Sequence, residues 1–172
     1  MTKLTTTRKE KHLHIDIPEG VTSVDKKTVI DCLKAQHGTT SLLSLKSVTV
    51  PCGVTKIDSY AFYGCTTVDR ISLPAGLRQI GTNAFGECLS LKKIDIPQGV
   101  EVIGLWAFEN CKSLSGLFVP NSVNIIDNFA FHNMGEDFYL VCEPLSYAET
   151  YAIENGIPYE MADLCLDESE RE

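Results

Sequence analysis

The chain has 172 residues, a mass of 19.0 kDa and a formal net charge of −8. This acidity excludes a general nucleic-acid binder, which needs a basic surface to attract phosphates. Hydrophobic residues at 44% and charged residues at 22% are typical of a folded domain, and no apolar run approaches the roughly 20 residues that cross a bilayer, so no membrane insertion is expected.

Residues 1–12 are predicted to form an N-terminal tail. The tail carries basic residues, but no apolar segment follows them, so it does not have the form of a secretory signal. The sequence as written is therefore expected in the cytoplasm, whereas a cell-surface location is expected if the chain is a fragment of a larger protein.

An irregular structural unit is predicted over residues 13–44. It opens with an apolar alternation that ends at Pro18. Asp25 is placed as the N-cap of a helix that ends before Gly38. Compared with the units that follow, this one contains about ten additional residues, which we interpret as an extension of its helical side.

Four repeats of 23 residues then occupy residues 45–136 without a gap, with prolines at positions 51, 74, 97 and 120. Apolar residues stand six, three and one places before each proline, as Leu91, Ile94 and Ile96 do before Pro97. The pattern predicts one short strand per repeat, and stacked repeats would pair these strands in parallel about 4.8 Å apart. Proline lacks an N–H and ends the strand, so each repeat is predicted to form one coil of a solenoid.

Every repeat also contains an Ala-Phe pair in its second half. Because the pairs recur in phase, the four phenylalanine rings are predicted to stack in one apolar core. Each fully buried ring contributes about 2–3 kcal/mol of transfer free energy.

Four of the seven cysteines lie 14 residues after a proline: Cys32, Cys65, Cys88 and Cys111. We interpret them as small buried residues at the turn that closes each coil. Disulfides or a metal site are the weaker alternatives, since no Cys-x-x-Cys pair occurs. Three cysteines are outside this register: Cys52, Cys142 and Cys165. Of these, Cys165 is expected to be the most reactive.

The repeat pattern Leu-x-x-Ile-x-Ile-Pro-x-x-Val-x-x-Ile-x-x-x-Ala-Phe-x-x-Cys resembles the 23-residue leucine-rich repeat of the BspA-like, or Treponema pallidum-type, family. The resemblance extends over about residues 13–159. It implies an α/β repeat fold, a leucine-rich-repeat solenoid of about five 23-residue coils with a parallel β-sheet on the concave side, short helix or turn elements and a C-terminal cap. It also implies a bacterial protein, because many members are bacterial surface proteins and some act in adhesion.

The solenoid is expected to end in a C-terminal cap over residues 137–162. Ser146 and Glu149 match a capping box, and Asn155-Gly156 is typical of a helix end. Ile157-Pro158-Tyr159 is predicted to add a last short strand. Residues 163–172 are predicted to be an acidic, solvated tail.

Variable positions within the repeats give two candidate surfaces for a partner. The first is a mixed-charge strip on the predicted concave strands, formed by Arg70, Lys92, Lys93 and Asp95. Repeat solenoids use this face for extended recognition, and ordinary solubilising surface is the alternative interpretation.

The second candidate surface is an apolar edge on repeats three and four, at positions that the repeat itself does not require to be apolar. Its predicted members are Trp106, Phe129, Leu105, Val102, Ile125 and Phe118. Exposed apolar area indicates a contact, and aromatic side chains are common interface anchors. The alternative is that these side chains pack under the cap. Whether Trp106 and Phe118 share a face is open, and so is weak self-association through this edge.

Catalytic motifs are not apparent in the sequence. It contains no Gly-x-Ser-x-Gly and no phosphate loop, and His12 and His14, on one face of the first strand, are too few for a metal site. We therefore expect no enzymatic activity, no metal and no cofactor. The predicted function is a non-enzymatic protein-binding or scaffolding module that recognises a protein partner, of unknown identity, through a solenoid surface. The alternative is a bacterial cell-surface adhesin, or a fragment of one, that binds host or other-cell proteins.

Overall fold

The computed structural model of the chain describes residues 12–162. The strands are β1 (Leu13–Asp16), β2 (Ser23–Val24), β3 (Leu45–Thr49), β4 (Lys56–Ile57), β5 (Arg70–Ser72), β6 (Gln79–Ile80), β7 (Lys93–Ile94), β8 (Val102–Ile103), β9 (Gly116–Val119), β10 (Ile125–Ile126), β11 (Tyr139–Cys142) and β12 (Tyr159–Met161). The helices are α1 (Lys26–His37) and α2 (Tyr147–Asn155). A 3-10 turn spans Leu42–Ser44. The tail before residue 12 and the acidic tail with Cys165 lie outside the described residues.

The strands that precede the prolines stack in parallel, as the repeat predicts. β1, β3, β5 and β7 form one sheet, and β9, β11 and β12 form another. Ser47 pairs with Arg70 and Arg70 with Lys93, so the register advances by one repeat per coil. The solenoid fold is thereby confirmed, and the concave strands divide into two sheets between β7 and β9.

A third parallel sheet runs along the other arm of each coil. It consists of five two-residue strands in the order β10-β8-β6-β4-β2. The sequence predicted only that apolar residues return inward here. Ile57, Ile80 and Ile103 are fully buried, and their backbones pair with the equivalent residues of neighbouring coils. The backbone of each coil therefore pairs with the neighbouring coils at two strands, and both pairings hold the coils in register.

The predicted phenylalanine stack fills the core between the strands that precede the prolines and the sheet of two-residue strands. Phe62, Phe85 and Phe108 are fully buried. Ring centroids of successive coils are 5.5, 5.1 and 5.6 Å apart from Phe62 through Phe131. Phe131 is in turn covered by Phe138 at 5.7 Å. The stack confirms the sequence prediction and gives the spacing of coils, about 5 Å.

The cysteines of the repeat lie beside this stack. Cys65, Cys88 and Cys111 are fully buried. The Cys88 thiol donates to Phe62 O at 3.3 Å, and the Cys111 thiol donates to Phe85 O at 3.2 Å. The six described cysteines are free thiols. The packing interpretation is therefore confirmed for these three cysteines. The fourth, Cys32, is also buried, but it lies within α1 rather than at a turn.

Both ends of the solenoid carry a helix with the predicted caps. The Asp25 side chain accepts from Thr28 N at the start of α1, and Gly38 ends this helix with a left-handed backbone. Ser146 accepts from Glu149 N at the start of α2, and Gly156 ends it. Within residues 12–162, no helix is long and apolar enough to cross a membrane.

Candidate functional site

Two places in each 23-residue coil have a left-handed backbone, with φ between 51° and 76°. One place precedes the Ala-Phe pair and holds Tyr60, Asn83, Trp106 and Phe129. The other lies two residues after that pair and holds Gly64, Glu87, Asn110 and Asn133. A left-handed conformation costs an ordinary L-residue about 1–2 kcal/mol, and glycine or asparagine adopts it most readily. The two places differ in the residue types that adopt this conformation.

The second of these places is explained by residue type and hydrogen bonding. Gly64, Asn110 and Asn133 suit a left-handed backbone. Asn110 Nδ2 donates to Glu87 Oε1 at 2.5 Å, and Asn133 Nδ2 donates to Asn110 Oδ1. Lys112 Nζ donates to Asn133 Oδ1 at 2.7 Å. These contacts join successive coils, so this column has a structural role.

The first place carries large aromatic side chains in three of its four positions. Tyr60, Trp106 and Phe129 are 46%, 36% and 53% exposed. Tyr60 N donates to Thr82 O at 2.9 Å, which keeps this place in register between coils. Tyr60, Asn83, Trp106 and Phe129 therefore form a column along the solenoid, which we call the aromatic ridge. Exposed rings at a strained backbone position suggest selection for something other than stability.

Asn83 is the one residue of the aromatic ridge that is not aromatic, and it lies between Tyr60 and Trp106 in the column. It is only 5% exposed. Its Oδ1 is the one buried side-chain oxygen or nitrogen in residues 12–162 without a hydrogen-bond partner. Gly86 leaves room for this oxygen, because a Cβ there would lie 2.6 Å from it. Asn83 Oδ1 is therefore a buried, unsatisfied acceptor beside Gly86, which costs about 1–3 kcal/mol.

The apolar edge predicted from the sequence falls partly on the same arm. Val102 and Ile125 pair in register on β8 and β10. They stand four residues before Trp106 and Phe129, and Leu105 directly precedes Trp106. Ile125 is 46% exposed, whereas Val102 and Leu105 are half-buried. Val102, Leu105 and Ile125 therefore lie next to the aromatic ridge, on the strands and turns that lead into Trp106 and Phe129.

Phe118 is separated from that group. It lies on β9 and pairs with Val141 of β11, in the sheet of strands that precede the prolines. Tyr139 lies beside it over Gly116, where a Cβ would be 2.9 Å from the tyrosine ring. Phe118 therefore belongs to the concave strands. It does not share a face with Trp106.

The predicted charged strip is brought together in part. Arg70 and Lys93 lie in register on β5 and β7, and Lys93 Nζ is 3.5 Å from Asp95 Oδ1. These three residues line a surface depression of about 200 Å³. Lys92 instead borders a separate depression of about 460 Å³, together with Glu136. The Lys93–Asp95 pair is exposed, and such a pair contributes only about 0–1 kcal/mol.

A polar cluster at the N-terminal end of the concave strands was not predicted. His14 Nδ1 lies 2.8 Å from Ser47 Oγ, and its Nε2 lies 3.1 Å from Asp16 Oδ1. The order resembles a catalytic triad, but the side chains of His14 and Asp16 are 47% and 70% exposed, whereas a triad carboxylate is buried. We interpret the cluster as polar surface. Its sequence signal is that His14 and Ser47 both stand four residues before a proline.

The arm that bears the aromatic ridge carries charges of both signs. Residues 54–65, 77–88, 100–111 and 123–134 together contain five carboxylate and two basic side chains. Both basic side chains already have partners, since Lys56 Nζ is 2.8 Å from Asp58 Oδ1 and Arg78 donates to Gly99 O at 3.1 Å. Two further ammonium groups adjoin this arm, since Lys26 Nζ donates to Tyr63 O at 3.0 Å and Lys112 Nζ donates to Asn133 Oδ1 at 2.7 Å. The surface around the ridge is therefore of mixed charge.

Sequence comparison gives one family match. The family described as "BspA type Leucine rich repeat region" matches residues 39–157 in six copies. The comparison with curated proteins gives no match.

Solved structures of bacterial leucine-rich-repeat proteins share this fold. A leucine-rich cell surface protein from Faecalibacterium prausnitzii is 28% identical with a TM-score of 0.65, over 81% of this chain and 34% of that one. A leucine-rich-repeat protein from T. pallidum is 34% identical with a TM-score of 0.64, over 77% of this chain and 59% of that one. The pneumococcal vaccine antigen PcpA is 26% identical with a TM-score of 0.53, over 56% of this chain and 24% of that one. The chain thus spans less than two thirds of the length of each of these proteins.

Proposed function

Because the chain belongs to the BspA-type leucine-rich-repeat family, we propose that it is a protein-binding module whose partner docks on the aromatic ridge. The leucine-rich-repeat solenoid is typically a non-catalytic scaffold for protein interactions. Within this scaffold, specificity resides in side chains that the repeat does not need for its own packing. The aromatic ridge has such side chains.

The observation that carries the proposal is the exposure of Tyr60, Trp106 and Phe129 at left-handed backbone positions. Asparagine at the equivalent Asn83 suits this backbone better. Rings of this size are typical anchors of protein interfaces, where burial of each contributes most of the local binding free energy. The strip of Arg70, Lys93 and Asp95 is a second surface for the same function, favoured by its in-register charges on the concave strands.

The alternative function is adhesion at a cell surface. The F. prausnitzii relative is a cell surface protein by name, and this location favours a partner on a host or neighbouring cell. The two functions share the same binding chemistry and differ in where the partner is found.

Affinity capture tests the proposal. Immobilised protein is incubated separately with lysate of the source organism and with a surface or extracellular extract, and bound proteins are identified by mass spectrometry. We expect a specific partner to be retained by the wild type and lost from the double variant Trp106→Asn/Phe129→Asn. Asparagine is used because Asn83 already occupies the same place in the second repeat. The extract that supplies the partner separates the module from the adhesin.

A matched control is Tyr147→Ala, since Tyr147 has the same 46% exposure as Tyr60 but lies on α2. Circular dichroism confirms that each variant is folded. Equal capture by the wild type and the ridge double variant would contradict docking on the aromatic ridge. Loss of capture in an Arg70→Ala/Lys93→Ala variant would then assign the partner to the concave strip.

A further inference from the structure

The C-terminal end of the solenoid is closed on one arm of the last coil and open on the other. α2 packs on β10 and β11, and the Tyr151 ring covers the core ring of Phe131, with 6.0 Å between the ring centroids. The core and the sheet of two-residue strands therefore end under α2. β12 is instead the outermost strand of its sheet, and within residues 12–162 its one neighbour is β11.

The open edge of β12 consists of the backbone groups of Tyr159 and Met161. Pro158 O accepts from β11 at 2.9 Å, and Ala162 N donates to β11 at 2.8 Å. The backbone groups of successive strand residues point alternately to the two sides, so Glu160 faces β11 and its two neighbours face away. The N–H and C=O groups of Tyr159 and Met161 are therefore placed to pair with a further strand.

The side chains along this edge belong to the core side of the sheet. Tyr159 pairs with Leu140 and Met161 with Cys142, and both partners are fully buried. Residues paired in this register point to the same face. Tyr159 and Met161 are nevertheless 38% and 45% exposed, because no strand covers them as β12 covers β11. A further strand with apolar residues at alternate places would bury them.

The N-terminal edge of the solenoid is treated differently. Gln36 of α1 accepts from Asp16 N at 3.2 Å and donates to Asp16 O at 2.7 Å, so side chains occupy the open side of β1. The side-chain hydrogen bonds of α2 go elsewhere in the described part of the chain, to Leu145, Ser146, Asp127 and Tyr151. The C-terminal helix therefore leaves the edge of β12 free for pairing.

Charge selects the kind of strand. Residues 133–170 contain ten carboxylate side chains and no lysine, arginine or histidine, and Arg171 follows them. Two basic side chains adjoin the start of this span, since His132 Nδ1 lies 3.5 Å from Glu109 Oε1 and Lys112 Nζ donates to Asn133 Oδ1 at 2.7 Å. Both contacts lie before β11. The elements at the end itself, β10, β11, α2 and β12, contain no basic residue, so this end favours a basic partner.

Glu160 fixes where the basic residues of such a strand belong. It pairs with Val141, which pairs with Phe118, so its side chain points to the concave side. A lysine or arginine beside Glu160 on the added strand would form a cross-strand pair of opposite charges. The residues on either side of that basic residue would then point to the core side, over Tyr159 and Met161.

We propose that the open edge of β12 accepts an added β-strand from a protein partner in which apolar and basic residues alternate. The partner backbone pairs with the outward groups of Tyr159 and Met161, its apolar side chains cover these two residues, and its basic side chains face Glu160. This surface lies on the concave sheet, away from the aromatic ridge, and the inference does not depend on the proposed function.

Amide hydrogen exchange followed by NMR tests the inference, because neighbouring amides of β12 have opposite expected outcomes. The probe is an end-blocked peptide of seven residues in which lysine and valine alternate. A second peptide has glutamate in place of lysine, and a third has glycine in place of valine. In the free protein the Glu160 amide should exchange slowly and the Tyr159 and Met161 amides fast. The lysine–valine peptide should slow the latter two at least tenfold, and the other peptides should not.

A charge reversal and a ridge variant locate the binding site. Glu160→Lys is expected to weaken binding of the lysine–valine peptide at least threefold and to strengthen binding of the glutamate–valine peptide. Trp106→Asn/Phe129→Asn, which alters the other arm, should change either affinity less than twofold.

Several results would overturn the inference. One is a lysine–valine peptide that leaves the Tyr159 and Met161 amides unchanged, and another is equal protection by the glutamate–valine peptide or an unaltered preference in Glu160→Lys. Slow exchange of both amides in the free protein would also overturn it. If that protection persists on dilution, the occupant of the edge is the chain's own residues 163–172, and if dilution removes it, the occupant is a second copy.

Discussion

At the residue scale, Phe129 has a left-handed backbone although its side chain is not part of the core. Its φ is 59°, and its ring is 53% exposed with an edge contact to His132 at 5.6 Å. The backbone conformation is imposed by the coil, since the equivalent Asn83 adopts it as well. Removal of the ring therefore leaves the conformational cost in place for any side chain that has a Cβ.

We predict that Phe129→Gly is more stable than Phe129→Ala by about 1 kcal/mol, because only glycine adopts a positive φ without steric cost. Urea unfolding of the two variants measures the difference. The control is Tyr147 on α2, where alanine is expected to be the more stable substitution by a similar amount. An alanine variant at position 129 as stable as the glycine variant would show that this backbone is not strained.

The buried thiols predict how stability depends on pH. Burial raises the pKa of Cys65 and of Cys111 to about 12, and it raises the pKa of Cys88 well above its ordinary value. In the unfolded chain these thiols ionise near their ordinary pKa of 9.0. Above that pH the unfolded state binds fewer protons than the folded state, so the free energy of unfolding falls as pH rises.

Between pH 8 and pH 10, each such thiol should remove about 1.4 kcal/mol from the free energy of unfolding. Cys65→Ala is therefore expected to lose less stability over this interval than the wild type, although it is less stable at pH 8 because of its cavity. Urea titrations at the two pH values give the comparison. The same loss in both proteins would mean that the Cys65 thiol ionises freely in the folded state.

At the element scale, the first strand of the solenoid is protected by the helix that the insertion provides. The outer edge of β1 would otherwise present unpaired backbone groups. Gln36 of α1 accepts from Asp16 N at 3.2 Å and donates to Asp16 O at 2.7 Å, and His37 Nε2 lies 2.5 Å from His14 O. These side chains occupy the place of a neighbouring strand, so α1 acts as the N-terminal cap.

We predict that Gln36→Ala loosens β1 without unfolding the solenoid. Each of the two lost hydrogen bonds contributes about 0.5–1.5 kcal/mol, so the Asp16 amide should exchange with deuterium about tenfold faster. Lys34→Ala, an exposed change on the same helix, is the control and should leave this rate unchanged. Unaltered exchange at Asp16 in Gln36→Ala would contradict the capping role of α1.

The two helices were predictable from the sequence, because Asp25 and Ser146 cap their starts and Gly38 and Gly156 end them. The sheet of two-residue strands, β10-β8-β6-β4-β2, was not predictable. Its strands, such as Lys56–Ile57, have two residues and show no alternation, and their pairing depends on the stacking of coils. The division of the concave strands between β7 and β9 also has no counterpart in the repeat pattern.

At the scale of the whole molecule, the 23-residue period predicts which residues form columns but not which columns share a face. Trp106 and Phe129 are equivalent places, and they fall in one column. Phe118 belongs to a different place in the repeat, and the winding of the coil puts it on the concave strands. The burial of Asn83 depends on the space that Gly86 leaves, which sequence periodicity does not encode.

Fluorine NMR of Trp106 reports whether a protein partner covers the aromatic ridge. Because the chain has one tryptophan, incorporation of 5-fluorotryptophan gives one resonance from the ridge. Addition of the partner obtained by affinity capture should shift or broaden this resonance, and the same amount should leave it unchanged in Phe129→Asn. If the partner binds the wild type in a co-sedimentation assay but the resonance does not move, docking on the aromatic ridge is contradicted.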